Sequence, residues 1–231
     1  IALKPNYAQA HYNMGIMLKE RGELGKAKAI YKQAIALKPD FPEAHNNLAT
    51  VLKELGELEE SVASYRQSIA FQPEHADAHY NLGVTLKELG KLDEAVASHK
   101  QALALKPDYA LAHFNLGATL QELGRLEEAQ ASFMLAIPLK PDFSQAHDHL
   151  LQCLYLLDKR TLFFDELDSL INQDMANAVI GSLTIRSALK YGLEKPNLFC
   201  REPLKYVSHI DMNAQYDFED IFVEKARVTL N

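Results

Sequence analysis

"AHNNLATVLKELGELEESVASYRQSIAFQPEHADAH", residues 44–79, ends on its own opening pair: Ala44-His45 returns as Ala78-His79. The prolines set the period. Pro5, Pro39, Pro73, Pro107 and Pro141 fall 34 residues apart at every step. Outward from residues 44–79, the same sentence stands before and after: "AHYNMGIMLKERGELGKAKAIYKQAIALKP", "AHYNLGVTLKELGKLDEAVASHKQALALKP" and "AHFNLGATLQELGRLEEAQASFMLAIPLKP". With Ala8 as position 1, position 8 is small (Gly15, Ala49, Gly83, Gly117) and position 15 is glycine (Gly22, Gly56, Gly90, Gly124). Position 20 carries Ala27, Ser61, Ala95 and Ala129, and position 27 carries Ala34, Ser68, Ala102 and Ala136.

These residue types have mechanical reasons. A helix that shows its neighbour only a hydrogen or a methyl group can be approached closely, near the low end of the usual interaxial range. Glycine between two helical runs accepts the positive φ that ends the first. Proline at the far end stops the second, because it cannot continue the hydrogen-bond ladder. Leu82, Leu86 and Leu89 recur at helical spacing, as do Leu58, Tyr65 and Ile69 on the partner run. One such pair cannot bury both of its apolar faces alone, so neighbouring pairs must stack.

The agreement of several separate positions at one period resembles the tetratricopeptide repeat, a unit of two antiparallel helices. The resemblance implies an all-α helix-turn-helix solenoid wound as a right-handed superhelix, with a non-repeat cap at its C-terminal end. Four regular repeats are expected at 8–41, 42–75, 76–109 and 110–143, with 1–7 matching the end of a preceding repeat. The chain therefore reads as part of a longer array, with an uncovered apolar flank at its first full helix. A divergent fifth repeat is expected at 144–173, with Asp158 where the turn glycine belongs. Residues 174–231 are read as a capping helix ending at Gly192, an irregular segment at 193–216 containing two prolines, and a last helix with Phe218, Ile221, Phe222 and Val228 on one face.

Bulk composition narrows the function classes. The 231 residues are 48% hydrophobic and 24% charged, the balance of an ordered soluble domain. A net charge of −7 disfavours general binding to nucleic acid or anionic membrane. No apolar run of membrane-spanning length occurs, and the N-terminus has no signal-peptide layout. Two cysteines, Cys153 and Cys200, are too few for a disulfide framework, so a reducing, cytoplasmic setting with free thiols is expected.

The candidate site follows from the resemblance. In this family the first helix of each pair lines the concave groove, and position 6 faces into it. Position 6 here is Asn13, Asn47, Asn81 and Asn115. Asparagine carries both donor and acceptor groups, so four in register form a ladder able to pair with the main chain of an extended peptide. This is similar to the peptide-binding superhelix of O-linked N-acetylglucosamine transferases. The plainer reading is that the amides bridge neighbouring repeats or hold water. Position 5 adds Tyr12, Tyr80 and Phe114 as aromatic contacts. Position 12 adds Lys19, Lys53 and Lys87, each followed by a glutamate, which reads as a rim of solvated ion pairs. The carboxylate clamp of chaperone-tail binders in the family needs Lys at position 2; here Gln9, Glu43, Asp77, Leu111 and Gln145 stand there, so that mode is disfavoured.

No cofactor or metal is expected. His11, His45, His79, His113 and His147 share position 4, so equivalent atoms lie on the order of 10 Å apart. Two imidazoles on one metal need their nitrogens roughly 3 Å apart, so packing explains them better. His209-Ile210-Asp211 is half of an iron facial triad, and "KPNLFCREPLKYV" faintly resembles the segment after the repeats in proteins with a 2-oxoglutarate/iron oxygenase domain. No histidine follows Asp211, and no Gly-rich phosphate loop or glycosyltransferase domain is present, so catalysis by this chain is not expected. The reading is a non-catalytic scaffold for a protein or peptide segment. The alternatives are self-association through the N-terminal edge or the apolar C-terminal helices, or an adaptor region of a larger oxygenase or glycosyltransferase.

Overall fold

The structure is a computed structural model that describes residues 7–173 and 178–191. The expectations for residues 1–6, for the segment 193–216 with His209 and Asp211, and for the last helix concern residues outside these. Eleven helices are described: α1 (Ala8–Glu20), α2 (Leu24–Leu37), α3 (Pro42–Glu54), α4 (Leu58–Phe71), α5 (Ala76–Glu88), α6 (Leu92–Leu105), α7 (Ala110–Glu122), α8 (Leu126–Leu139), α9 (Ser144–Leu156), α10 (Arg160–Asn172) and α11 (Ala178–Tyr191). By its contacts the chain divides after Phe163, inside the expected fifth repeat.

In the first unit α1 pairs with α2, α3 with α4, α5 with α6 and α7 with α8, and each of these even-numbered helices packs on the odd-numbered one that follows it. Like helices also meet directly along the odd series, α1 with α3, α3 with α5, α5 with α7 and α7 with α9. The even-numbered helices do not meet in this way to the same extent, so the odd series lines the inner wall of this unit.

The turns follow the glycines. Gly22, Gly56, Gly90 and Gly124 have φ between +72° and +79°. That conformation sends the next amide back to the helix: Glu23 N–H donates to Leu18 O, and Glu57 N–H to Leu52 O, both at 2.9 Å. Asp158 stands in the same left-handed region (φ 57°), and Lys159 N–H donates to Leu154 O at 2.9 Å. The fifth turn thus keeps the geometry without the glycine, which aspartate tolerates better than most residues.

The core is a series of clusters that bridge neighbouring pairs: Leu18, Ala27, Tyr31, Leu48, Val51 and Leu52 on α1 to α3, then Ala49, Val62, Tyr65, Leu82, Leu86 and Ala95 on α3 to α6. The glycines at position 8 exist because of the residue at position 24. A Cβ on Gly15 would lie 2.5 Å from the Tyr31 ring, one on Gly83 2.6 Å from His99, and one on Gly117 2.7 Å from Phe133. The small residues at positions 20 and 27 are fully buried, and in the second repeat they are serines. Ser61 Oγ donates to Ala49 O at 2.7 Å and Ser68 Oγ to Pro42 O at 2.8 Å, so each hydroxyl is satisfied by a carbonyl of its partner helix.

The second unit, described in part, buries Leu167, Leu170, Ile180, Leu183 and Ser187, with the Phe164 and Tyr191 rings edge-on at 5.9 Å.

Candidate groove on the odd-numbered helices

The inner wall of the first unit is built from the exposed faces of α1, α3, α5 and α7, which carry Asn13, Asn47, Asn81 and Asn115 one repeat apart. Asn13 is exposed and the other three are half-buried. Their hydrogen bonds differ. Asn13 Oδ1 accepts from Gln9 Nε2 at 3.1 Å. Asn47 Nδ2 donates to Tyr12 Oη, and Asn115 Nδ2 to Tyr80 Oη, both at 3.1 Å and both across a repeat boundary. Asn115 Nδ2 also donates to Leu111 O at 3.0 Å. Two of the four amides are therefore held by a tyrosine of the preceding repeat, which is the bridging of the plainer reading.

The position 5 rings belong to a packed seam. Tyr12 lies 4.9 Å from Phe41 and 6.0 Å from Tyr31 between ring centroids. Tyr80 lies 4.9 Å from Tyr109 and 5.9 Å from His99, and Phe114 4.6 Å from Phe143 and 5.9 Å from Phe133. Lys38, Lys106 and Lys140 sit over Phe41, Tyr109 and Phe143, 4.7 to 5.0 Å from the ring centroids. These rings are half-buried, and burial raises the Tyr12 and Tyr80 pKa values. Their hydroxyls stay protonated at neutral pH, as an acceptor for the amides requires no charge. The second repeat breaks the seam, with Asn46, His75 and Gln72 at the matching positions.

The rim lysines each reach forward one repeat: Lys19 to Glu54 (3.6 Å), Lys53 to Glu88 (3.1 Å) and Lys87 to Glu122 (2.7 Å). A second row runs along the even-numbered helices, with Lys28 to Glu57, Lys32 to Glu60 (3.2 Å), Arg66 to Glu94 (2.6 Å) and Lys100 to Glu128 (3.9 Å). The sequence showed the lysine-glutamate neighbours but not that each pair joins different repeats. Partly exposed pairs of this kind contribute at most about 1 kcal/mol each and act mainly to fix register.

The position 4 histidines are structural. His45, His79, His113 and His147 each donate Nε2–H to the carbonyl of the proline six residues before, at 2.9, 2.9, 2.9 and 3.0 Å. The proline that ends one repeat thus accepts from the first turn of the next. Among the described residues no three His, Cys, Asp or Glu side chains gather as a metal site. No described helix is long and apolar enough to cross a membrane. Cys153 is a buried free thiol whose pKa burial pushes up to about 11, which leaves it unreactive.

One site residue was missed from sequence. His149 occupies position 6 of the fifth repeat, where the ladder would continue. Its Nδ1–H donates to Gln121 Oε1 at 2.7 Å, and its ring stacks on Phe133 at 5.4 Å. Aligning "AHDHL" with "AHFNL" would have found it.

Comparisons with known proteins agree with this architecture. A family model described as TPR repeat matches residues 17–56, 50–90 and 85–124, and one described as tetratricopeptide repeat matches 110–143. Among curated proteins none matches in sequence. Among solved structures the chain is similar to MamA from Desulfovibrio magneticus RS-1 (residues 41 to the end), with TM-score 0.67 and 20% identity over 73% of this chain and 95% of that one. It is similar to YrrB, described as a TPR protein with an unusual peptide-binding site, with TM-score 0.67 and 22% identity over 76% and 90%. It is also similar to Pseudomonas aeruginosa PilF, with TM-score 0.66 and 22% identity over 80% and 84%. Matched over more than half its length by the repeat models and built of stacked helix-turn-helix pairs, the chain belongs to the tetratricopeptide-repeat family.

Proposed function

We propose that this chain is a non-catalytic scaffold that holds an extended protein or peptide segment in the groove of its odd-numbered helices. The observation that carries the reading is the register of Asn13, Asn47, Asn81 and Asn115 on one wall, each with hydrogen-bonding capacity not used within the protein. Repeated carboxamides match the repeated N–H and C=O groups of a peptide main chain and need no particular side chains. Tyr12 and Tyr80 support this by fixing Asn47 and Asn115, Phe114 continues the same seam, and Lys19, Lys53 and Lys87 form the rim. YrrB, a structural neighbour described as having a peptide-binding site, makes a peptide ligand reasonable here. The same reading takes 8–41, 42–75, 76–109 and 110–143 as regular units, 144–173 as a divergent one and 174–231 as a cap.

The test is a combined Asn47, Asn81 and Asn115→Ala variant against a peptide selected on the wild-type chain from a random 12-residue library. At about 1 kcal/mol per lost hydrogen bond, affinity should fall on the order of a hundredfold with helicity unchanged. Unchanged affinity would move the site elsewhere.

A second reading, self-association, has one observation in its favour. Met14 and Met17 on α1 are 39% and 62% exposed, while Leu48 and Val51 at the same repeat positions are 5% and 0% exposed. Light scattering over a dilution series decides it: a constant monomer mass rejects association through this face.

A further inference from the structure

Two rows of ion pairs run from repeat to repeat, and both stop at the same joint. On the inner rim, position 12 reaches position 13 of the next repeat: Lys19 to Glu54, Lys53 to Glu88 and Lys87 to Glu122. On the even-numbered helices, position 25 reaches position 19 of the next repeat: Lys32 to Glu60, Arg66 to Glu94 and Lys100 to Glu128. At the fourth joint the rim positions hold Gln121 and Leu156, and the other row holds Met134 and Leu162. Position 26, glutamine in the first three repeats (Gln33, Gln67 and Gln101), becomes Leu135. The stacking itself is kept. Lys159 Nζ donates to Gln130 Oε1 at 2.6 Å, across the same two positions that join Lys28 to Glu57 at the first joint. Met134, Leu135, Leu156 and Leu162 thus stand where the other joints show charges and amides, and they are between 45% and 59% exposed. Leu156 ends α9 and Leu162 lies in the first turn of α10, so both rows fail at one turn.

Each row loses its cation and its anion together, so these positions gain no charge of either sign with which to hold an ionic partner. What they gain is suitability for being covered. Covering a surface ion pair strips water from two charges, whereas covering methionine and leucine is favourable in itself. We propose that the fourth joint, with Met134, Leu135, Leu156 and Leu162 at its surface, is the contact through which two copies of this chain form a closed two-fold dimer. A two-fold contact sets a patch against itself, a condition that an uncharged apolar patch meets directly. A chain of net charge −7 also repels its own copy, and that repulsion opposes contact least where the charged rows are interrupted. Met134, unbranched and adaptable, can settle against its own image across the axis. The contact lies on α8 to α10, apart from Met14 and Met17 on α1, and it stands independently of the groove reading.

The test is the mass of the full chain by sedimentation velocity over a dilution series, with melting of each variant followed by circular dichroism. Met134→Lys, Leu135→Gln and Leu162→Glu together give the fourth joint the residues that Lys100, Gln101 and Glu128 supply at the third, so this variant should fold. Leu156→Glu alone changes one exposed side chain and decides the matter if the triple variant does not fold. Met14→Lys with Met17→Lys alters the N-terminal edge instead. The wild-type mass should rise to two chains and no further. The concentration at which half the chains are paired should increase by about tenfold or more in the triple variant and by about threefold or more in Leu156→Glu, and stay unchanged in the N-terminal variant. A wild-type chain of single mass at every concentration would overturn the proposal. So would growth beyond two chains, since a two-fold contact closes on itself. Pairing at wild-type strength in the folded triple variant or in Leu156→Glu, or pairing lost in the N-terminal variant, would overturn it as well. The groove reading is judged separately, by peptide affinity in the asparagine variant.

Discussion

His99→Phe should abolish a pH dependence that the wild-type fold carries. His99 stands at position 24, where the other repeats hold Tyr31, Tyr65 and Phe133, and it is fully buried against Gly83 with neither ring nitrogen hydrogen-bonded. Burial, with a smaller contribution from the Lys87 charge, lowers its pKa from 6.5 to about 4. The sign follows from linkage. Above about pH 6.5 the imidazole is neutral in both states and costs nothing. As pH falls from there toward 4, the unfolded chain takes up a proton that the folded one refuses, so stability declines; below 4 the loss is complete. With these two values the loss reaches about 2 kcal/mol at pH 5 and approaches about 3 kcal/mol in full. Phenylalanine is accommodated at this position, since Phe133 lies over Gly117 in the same manner in the fourth repeat. The chain has no tryptophan, so urea unfolding is followed by circular dichroism at pH 7 and pH 5 in both proteins. Carboxylates and the other histidines titrate equally in the two and cancel in the difference. Wild type should lose about 2 kcal/mol more than His99→Phe between the two pH values. Equal losses would refute the buried, unpartnered imidazole.

Other predictions follow from the packing. Gly117→Ala places a methyl group 2.7 Å from the Phe133 ring and should cost about 1–3 kcal/mol by urea unfolding, and Gly83→Ala should cost a similar amount against His99. Gly56→Ala meets no neighbour but keeps φ +79°, so its cost of about 1–2 kcal/mol should come from backbone strain alone. Ser61→Ala removes the hydroxyl on Ala49 O and leaves that carbonyl without its side-chain donor; a loss of about 1 kcal/mol is expected, although alanine is the residue of the other three repeats. Lys53→Ala breaks the pair with Glu88 yet should change the unfolding free energy by less than about 1 kcal/mol, and adding salt should shrink even that.

Much of the fold is legible in the 34-residue period because each repeated residue type has a local cause. The turn glycines declare a positive φ, and Asp158 occupies the same conformation once the surrounding helices demand it. The small residues at position 8 announce close approach but not what approaches, since the ring at position 24 is contributed by another helix. The site was legible by residue type and less so by engagement. Asn47 and Asn115 look alike in sequence, but Asn115 donates to the Leu111 carbonyl of its own helix as well as to a tyrosine of the preceding repeat. Tyr12 and Tyr80 read as groove contacts, whereas their rings pack against Phe41 and Tyr109 and their hydroxyls serve the next repeat. Such cross-repeat pairings depend on the angle between stacked helices, which no single repeat encodes.

The most direct measurement is the side-chain carboxamide spectrum of the chain labelled with nitrogen-15 at asparagine, recorded before and after adding a library-selected 12-residue peptide. The account predicts that the side-chain amides of Asn47, Asn81 and Asn115 shift together, and that Asn172 on α10 stays in place. Saturable binding with those three amides unmoved would contradict it.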